Sequence, residues 1–269
     1  MTDTDTPRSF HPELLKGETW LITGGGTGIG RSTAFLAASL GAEVFIASRK
    51  IEKLQPTADE INASGGKCSA ITCDIRQPET IESAVDSIRE RCGTINVLVN
   101  NAGGQFPTPA QSLSVKGWDA VIRNNLSGTW YMTQAVATRC MIPGDGGSIV
   151  NIIADVYRGF PGMVHTGAAR AGVDNLTKTL AVEWAPNKIR VNAIAPGIIA
   201  SSGLKQYPPA LIEQSQRAIP FKRLGETIEV AQPIVFLGSS AASYITGTTL
   251  YVDGGSRLWG DLWPIPDPK

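Results

Sequence analysis

Short apolar runs alternate with stretches of helical periodicity along nearly the whole chain. The runs are Thr19–Thr23, Glu43–Ala47, Cys68–Cys73, Asn96–Asn100, Ser148–Ile153, Arg190–Ile194 and Thr249–Val252. They are rich in Val and Ile, and most stop at or just before Gly, Asn, Asp or Pro. Runs without polar alternation suit strands covered on both faces, as in a parallel sheet between helices. Between them, apolar residues recur every three or four positions. The clearest stripe is Val173, Leu176, Thr177, Leu180, Ala181 and Trp184, which Pro186 stops. The repeated β–α unit predicts a Rossmann-type α/β fold: a doubly wound, seven-stranded parallel sheet with helices on both faces. It predicts a single domain over residues 1–269, with its core from Gly17 to Gly255. Residues 198–225 break the pattern. They contain Pro208, Pro209 and Pro220 and predict an irregular substrate loop, because a long unstructured stretch in a compact domain generally serves function. Residues 256–269 predict a C-terminal tail, peripheral or packed on a neighbouring subunit.

The first strand leads into Thr23–Gly30, TGGGTGIG, and a helix with Arg31, Ala34, Phe35 and Ala38 follows. Gly24 permits the tight turn, Gly28 lets backbone approach a pyrophosphate, and Gly30 lets helix pack on strand. Thr27 and Ile29 complete the turn, whose open N–H groups suit phosphates. A glycine turn that merely connects strand to helix is the weaker reading, given this context. The second strand ends in Ser48-Arg49-Lys50 rather than in a carboxylate. A carboxylate there would hold a ribose 2′-OH and repel a 2′-phosphate. Arg49 pairs with such a phosphate and Ser48 donates to it, so the cofactor predicted is NADPH.

Composition narrows the partners. The chain is 42% hydrophobic and 18% charged, with 24 Lys+Arg against 24 Asp+Glu. Charge balance gives no basic surplus for a nucleic acid or an anionic membrane. Cys68, Cys73, Cys92 and Cys140 show no CxxC spacing, and the only histidines are His11 and His165. Buried free thiols are expected, and no metal site. Met1–Pro7 is polar, no apolar run reaches membrane-spanning length, and the chain ends without an SKL address. Cytoplasmic location is the expectation.

Further blocks stand in a telling order: Asp74 after the third strand, NNAG at Asn100–Gly103, Asn125 in NNLSG, GGSIVNI at Gly146–Ile152, Ile194-Ala195-Pro196-Gly197, and Val252-Asp253-Gly254-Gly255. With TGGGTGIG, these resemble the short-chain dehydrogenase/reductase family from about Gly17 to Gly255. The resemblance implies that Asp74 and Ile75 contact adenine and that Asn101, Ala102 and Gly103 line the nucleotide side of the cleft. It places Pro196, Gly197 and Ile199 beside nicotinamide, and implies a homotetramer built on the helices flanking the active-site strand. Apolar residues there, including Ala169, Val173 and Leu176, exceed what one core face needs.

The family's catalytic pattern is Tyr-x-x-x-Lys with an earlier Ser. Here Thr166 stands at the tyrosine position, Arg170 at the lysine position and Ile153 near the serine position. Carbonyl reduction needs a proton for the alkoxide. Threonine is a weak acid, and arginine does not deprotonate; Arg170 can still hold the nicotinamide ribose. Reducing a C=C bond conjugated to a thioester instead needs donors for an enolate oxygen, while the proton goes to Cα. Thr166, Asn125 and backbone N–H groups are candidates for those donors. NNAGGQF, GGSIVNII and the block from Gly159 to Lys178, with its unusual Arg170, resemble the peroxisomal-type trans-2-enoyl-CoA reductase branch of the family. That implies NADPH-dependent reduction of a trans-2-enoyl-CoA, an acyl-CoA substrate. Two alternatives remain. One is a carbonyl or 3-oxoacyl thioester reductase using a displaced tyrosine, Tyr157. The other is a catalytically silent NADPH-binding protein. Related 2,4-dienoyl-CoA reductases use a tyrosine in the loop Ala154–Met163. That spacing falls here on Asp155, which could position a water for Cα protonation, with Tyr157 two residues later. His165 reads equally as a ligand-facing donor or a structural helix-start residue. Trp118, Trp130 and Trp184 read as core or subunit interface.

Overall fold

The computed structural model describes residues 10–201, 203–204 and 207–258. The strands are β1 (Thr19–Thr23), β2 (Glu43–Ser48), β3 (Lys67–Thr72), β4 (Val97–Asn100), β5 (Gly147–Ile152), β6 (Ile189–Pro196), β7 (Ile199–Ala200), β8 (Gly225–Glu226) and β9 (Thr249–Val252). The helices are α1 (Gly28–Ser39), α2 (Gln55–Ala63), α3 (Pro78–Cys92), α4 (Val115–Ile122), α5 (Gly128–Val136), α6 (Val164–Glu183), α7 (Pro209–Ala218) and α8 (Thr227–Gly238). Seven strands form one parallel sheet in the order β3-β2-β1-β4-β5-β6-β9. Strand order reverses at β1, between β2 and β4, which opens a crevice at the C-terminal strand ends.

Alternate strand residues feed two cores. Trp20, Ile22, Val44, Ile46, Val97 and Val99 pack with α1, α2 and α8. Leu21, Phe45, Leu98 and Ile149 pack with α3, α5 and α6 on the other face. This is why the inner strands read as unbroken apolar runs: both their faces are covered, whereas the edge strands β3 and β9 are partly exposed. Each such buried side chain contributes about 1.5–3 kcal/mol. Close approach matters locally. A side chain at Gly238 on α8 would meet the Trp20 ring at 2.4 Å. The four cysteines are free, three of them buried and Cys92 half-buried. Burial pushes the Cys68 thiol up to about 12 and the Cys73 thiol up to about 11, so neither is a ready nucleophile.

Two expectations need correction. Residues 198–225 are not structureless. Their described part holds β7 and the ten-residue α7, and β7 pairs with β8 in a separate two-stranded parallel sheet. Pro209 opens α7, a position where its missing N–H costs nothing. The prolines therefore mark element boundaries rather than disorder. Secondly, Ala169 and Val173 are fully buried in the chain's own core, and Leu176 and Trp184 pack against it. They are not surplus apolar surface, so they lend no weight to a tetramer. Trp130 also packs on the core, whereas Trp118 is 37% exposed. The proline-rich tail after Trp263 lies outside the described residues.

Candidate active site

The glycine turn is built from backbone. Gly24 and Gly28 have φ of +71° and +55°, which L side chains rarely adopt. Gly24 N–H donates to Ala47 C=O at 2.7 Å, which ties the turn to the end of β2. A side chain at Gly30 would come within 2.5 Å of both Gly24 O and Asn101 Nδ2. Thr27, at the N-cap of α1, has extended backbone, and its side chain accepts no helix N–H. The first-turn N–H groups of α1 are thus left for an anion. Thr23 and Asn101 brace the turn against β4. Thr23 Oγ1 accepts from Asn101 N–H and Ala102 N–H at 3.0 and 2.9 Å, and Asn101 Nδ2 donates to Thr23 O at 2.9 Å. Asn101 therefore supports the cleft with its side chain as well as lining it.

This turn borders a cleft of about 270 Å³. Its walls include Gly24, Thr27, Ser48, Arg49, Asp74, Ile75, Asn101, Ala102 and Gly103, together with Ala47, Cys73 and Asn124. Ser48 Oγ donates to Lys50 O at 3.1 Å, so Ser48-Arg49-Lys50 forms a compact polar turn. Arg49 and Lys50 are exposed. Asp74 is turned to Arg76, which grips both its oxygens at 2.9 and 2.6 Å. That hydrogen bonding holds the Asp74 carboxyl below the usual carboxylate range. Sequence reasoning missed Arg76, and nothing in its spacing distinguishes it. Ile75 is buried against Gly128, while Ile29 packs on the α1-side core.

The other half of the site gathers at the ends of β5 and β6. Arg170 is 8% exposed and donates through Nη1 to Ile152 O at 2.8 Å. Its Nε is buried without a partner, and no carboxylate forms an ion pair with it among the described residues. Burial pushes its pKa down to about 10, so it stays charged at neutral pH. A side chain at Gly103 would lie 2.3 Å from Arg170 Nη2 and 2.7 Å from Asn125 Oδ1. Gly103 is thus where the nucleotide cleft meets this cation. A buried, unpaired guanidinium is costly and calls for an electronegative ligand.

Asn125 sits in a π-helical turn, Arg123–Ser127, between α4 and α5. Such turns often mark functional positions. Its Nδ2 donates to Gly104 O and Val121 O at 2.7 and 3.0 Å, so both amide hydrogens are engaged. Thr166 is fully buried, with Oγ1 3.2 Å from His165 Nδ1. In this conformation neither offers a free donor to the cleft. The anion-stabilising role expected of these two side chains therefore requires rearrangement. Behind them runs a buried polar ladder: Asn100 Nδ2 donates to Thr133 Oγ1 and Asn151 Oδ1, and Asn151 Nδ2 donates to Thr177 Oγ1. It locks β4, β5, α5 and α6 together beneath the site.

Asp155 N–H donates to Pro196 O at 3.0 Å, joining the loop after β5 to the end of β6. Its carboxyl is half-buried and raised above the usual range, by burial first and by neighbouring Asp253 as well. Tyr157 is 65% exposed and meets the Tyr251 ring edge-on at 6.4 Å. It leans toward β9, whereas Arg170 borders Gly103 beyond the end of β4. Gly197 N–H donates to Val252 O, and Ile199 lines a second cavity of about 280 Å³ with Ile219, Phe221 and Tyr251. Three crossing segments meet over the site, through the backbone bond from Thr108 N–H to Gly162 O at 2.8 Å and through side chains. Gln105 Nε2 donates to Tyr207 Oη at 3.1 Å, and Tyr207 Oη donates to Met163 Sδ at 3.7 Å. Sequence reasoning missed Gln105 and Tyr207, although Gln105 lies in the quoted NNAGGQF.

This fold and turn have close counterparts. A family model described as enoyl-(acyl carrier protein) reductase matches residues 24–257. The peroxisomal 2,4-dienoyl-CoA reductase of Danio rerio is 39% identical over 254 residues, covering 93% of this chain and 84% of that protein. The chain belongs to the short-chain dehydrogenase/reductase (SDR) family. As an SDR it is an oxidoreductase that binds a nicotinamide cofactor. The 3-oxoacyl-[acyl-carrier-protein] reductase FabG of Thermotoga maritima is 38% identical over 243 residues, covering 90% of this SDR and 98% of FabG. A solved structure of a citronellol catabolism dehydrogenase from Pseudomonas aeruginosa superposes with a TM-score of 0.85. It is 46% identical and covers 93% of this SDR and 98% of that chain. No helix among the described residues is long and apolar enough to cross a membrane.

Proposed function

We propose that this SDR uses NADPH to reduce the C=C bond of a trans-2-enoyl-CoA. The observation that carries this reading is Arg170: a buried cation that keeps its proton stands where a carbonyl reductase needs a lysine beside a tyrosine. The positive-φ glycines, the uncapped start of α1 and the orphaned Arg170 Nε fit a nicotinamide dinucleotide. When bound, NADPH supplies the hydride. The first turn of α1 would hold the pyrophosphate, Ser48 and Arg49 the 2′-phosphate, and Arg170 the nicotinamide ribose. The field of Arg170 also favours negative charge on a nearby thioester oxygen. Asp155, kept protonated to higher pH by burial, is the proton source for Cα, directly or through a water.

The 2,4-dienoyl-CoA reductase relative favours a second acyl substrate, a 2,4-dienoyl-CoA, and FabG favours a 3-oxoacyl thioester. The citronellol enzyme adds branched terpenoid substrates. NADPH oxidation on a panel of 2-enoyl-, 2,4-dienoyl- and 3-oxoacyl-CoA esters, C4 to C16 and one branched, separates them. Turnover of 2-enoyl-CoA with little 3-oxoacyl reduction is expected, and Tyr157→Phe leaves it within about threefold. Loss of ketone reduction in that variant would instead install Tyr157 as the acid. Tight NADPH binding without turnover on any ester would point to a silent cofactor-binding protein. We assign a homotetramer and a cytoplasmic location to the same reading; light scattering that gives a monomer at micromolar concentration would remove the first.

A further inference from the structure

We infer that His165 Nε2 donates a hydrogen bond to the thioester carbonyl oxygen of the substrate, a contact that rests on the acyl-CoA reading above. The imidazole is fully buried in the first turn of α6. Its Nδ1 accepts the Thr166 N–H at 2.7 Å, a hydrogen shared with Met163 O at 3.0 Å. A ring nitrogen that accepts a backbone N–H carries no proton, so in the neutral ring the proton is on Nε2. The Thr166 hydroxyl at 3.2 Å is then also a donor to Nδ1. Nε2 is buried and has no hydrogen-bond partner. Leaving a buried donor unpaired costs about 1–3 kcal/mol, and such exceptions call for a reason.

The position supplies that reason. The ring lies in the turn of α6 that precedes Arg170, the buried cation beside Gly103. Its partner is Phe106, edge-on at 4.6 Å and 39% exposed. The residue before Phe106 is Gln105, held to Tyr207, which in turn touches Met163 at the N-cap of α6. His165 therefore lies beneath the junction of the three segments that leave β4, β5 and β6. The cover is held by the Tyr207 contacts and by the backbone bond from Thr108 N–H to Gly162 O at 2.8 Å. The inferred contact requires this cover to part, so that the thioester oxygen reaches Nε2.

The chemistry needs such a donor. As hydride bonds to Cβ, the C=C pair shifts to form Cα=C–O⁻, and the oxygen gains full charge. When Cα takes a proton, the carbonyl re-forms. His165 keeps its own proton throughout and only solvates the oxygen. The side chains first expected in this role are engaged elsewhere: Asn125 with Gly104 and Val121, Thr166 with His165.

The test uses His165→Phe, which keeps a planar ring for the edge contact with Phe106 but removes the donor. The first readout is the absorption of bound 4-dimethylaminocinnamoyl-CoA on the NADP⁺-loaded protein, whose band moves to the red when its carbonyl is polarised. The second is kcat with a 2-enoyl-CoA, and NADPH titration checks the fold. Wild type should show the red shift. His165→Phe should lose most of it, with kcat down about 100-fold and NADPH affinity within about twofold. His165→Gln, which restores a donor, should recover part of both. Should the Phe variant fail to bind NADPH, His165→Met carries the same expectation. A wild-type protein that turns over enoyl-CoA while the Phe or Met variant keeps the shift and kcat within about threefold makes His165 a packing residue. A wild-type protein that turns over no 2-enoyl-CoA overturns the acyl-CoA reading itself.

Discussion

At the β1–α1–β2 end of the cleft the groups that face a ligand are mostly backbone. Gly24 and Gly28 hold positive φ, Gly30 admits Asn101, and the start of α1 leaves its N–H groups open. At the β5–β6–α6 end they are side chains: Arg170 on Ile152 O, Asp155 beside Asp253, His165 under Phe106, and Tyr207 across the top. A backbone site tolerates one residue type at each critical position and so leaves a strong mark in sequence. A side-chain site depends on which atoms happen to be engaged, so the same residues serve or do not serve according to their neighbours.

The sharpest way to break that contrast is at Gly30. Valine there would drive a Cβ to within 2.5 Å of Gly24 O. NADPH affinity measured by fluorescence titration should fall at least about 100-fold, equal to about 2.7 kcal/mol. A loss under about fivefold would mean that the turn can yield and is not the rigid half. Next is Arg170→Met. It should lower kcat/KM about 100-fold yet leave Tm unchanged or raised, because it removes an unpaired buried charge. A fall in Tm would show that the charge is compensated in the resting protein and that this half is as prebuilt as the other.

Ser48→Asp with Arg49→Ala should turn the NADPH to NADH affinity ratio around by about 10- to 100-fold, the range for hydrogen bonds to a charged group. Unchanged NADPH preference in paired titrations would move 2′-phosphate recognition elsewhere. The smallest effect is a pH limb. The raised pKa of Asp155 keeps its carboxyl protonated to higher pH than usual, so kcat should decline as pH rises through that value. Asp155→Asn should lower the rate and flatten the limb; a profile identical to wild type would free Asp155 from the proton path.

The strands show how legible the fold was. Thr19–Thr23 and Thr249–Val252 appear with the bounds expected, and the others differ by a residue or two. Burial on both faces makes the inner strands uninterrupted apolar runs, whereas the edge strands β3 and β9 are only partly covered. Residues 198–225 were less legible, because α7 is short, exposes most of its length and opens on two prolines that read as breakers. The nucleotide wall was legible for the same reason as the glycine turn. The catalytic wall was legible only by position: Thr166 and Arg170 could be named, but not that Thr166 is fully buried against His165 or that Arg170 Nε lacks a hydrogen-bond partner.

By itself, then, the sequence determined the parallel sheet, the glycine-lined phosphate turn and the absence of the tyrosine–lysine pair. Each depends on residue type alone: two-sided burial, positive φ, or the acidity of a side chain. Tertiary structure decided which donors are left over. Asn125 and Thr166 are engaged by Gly104, Val121 and His165, while His165 Nε2 and Arg170 Nε are not engaged. Hydrogen-bond capacity belongs to a residue, but whether it is already used depends on atoms brought from distant parts of the chain, and no local pattern records that.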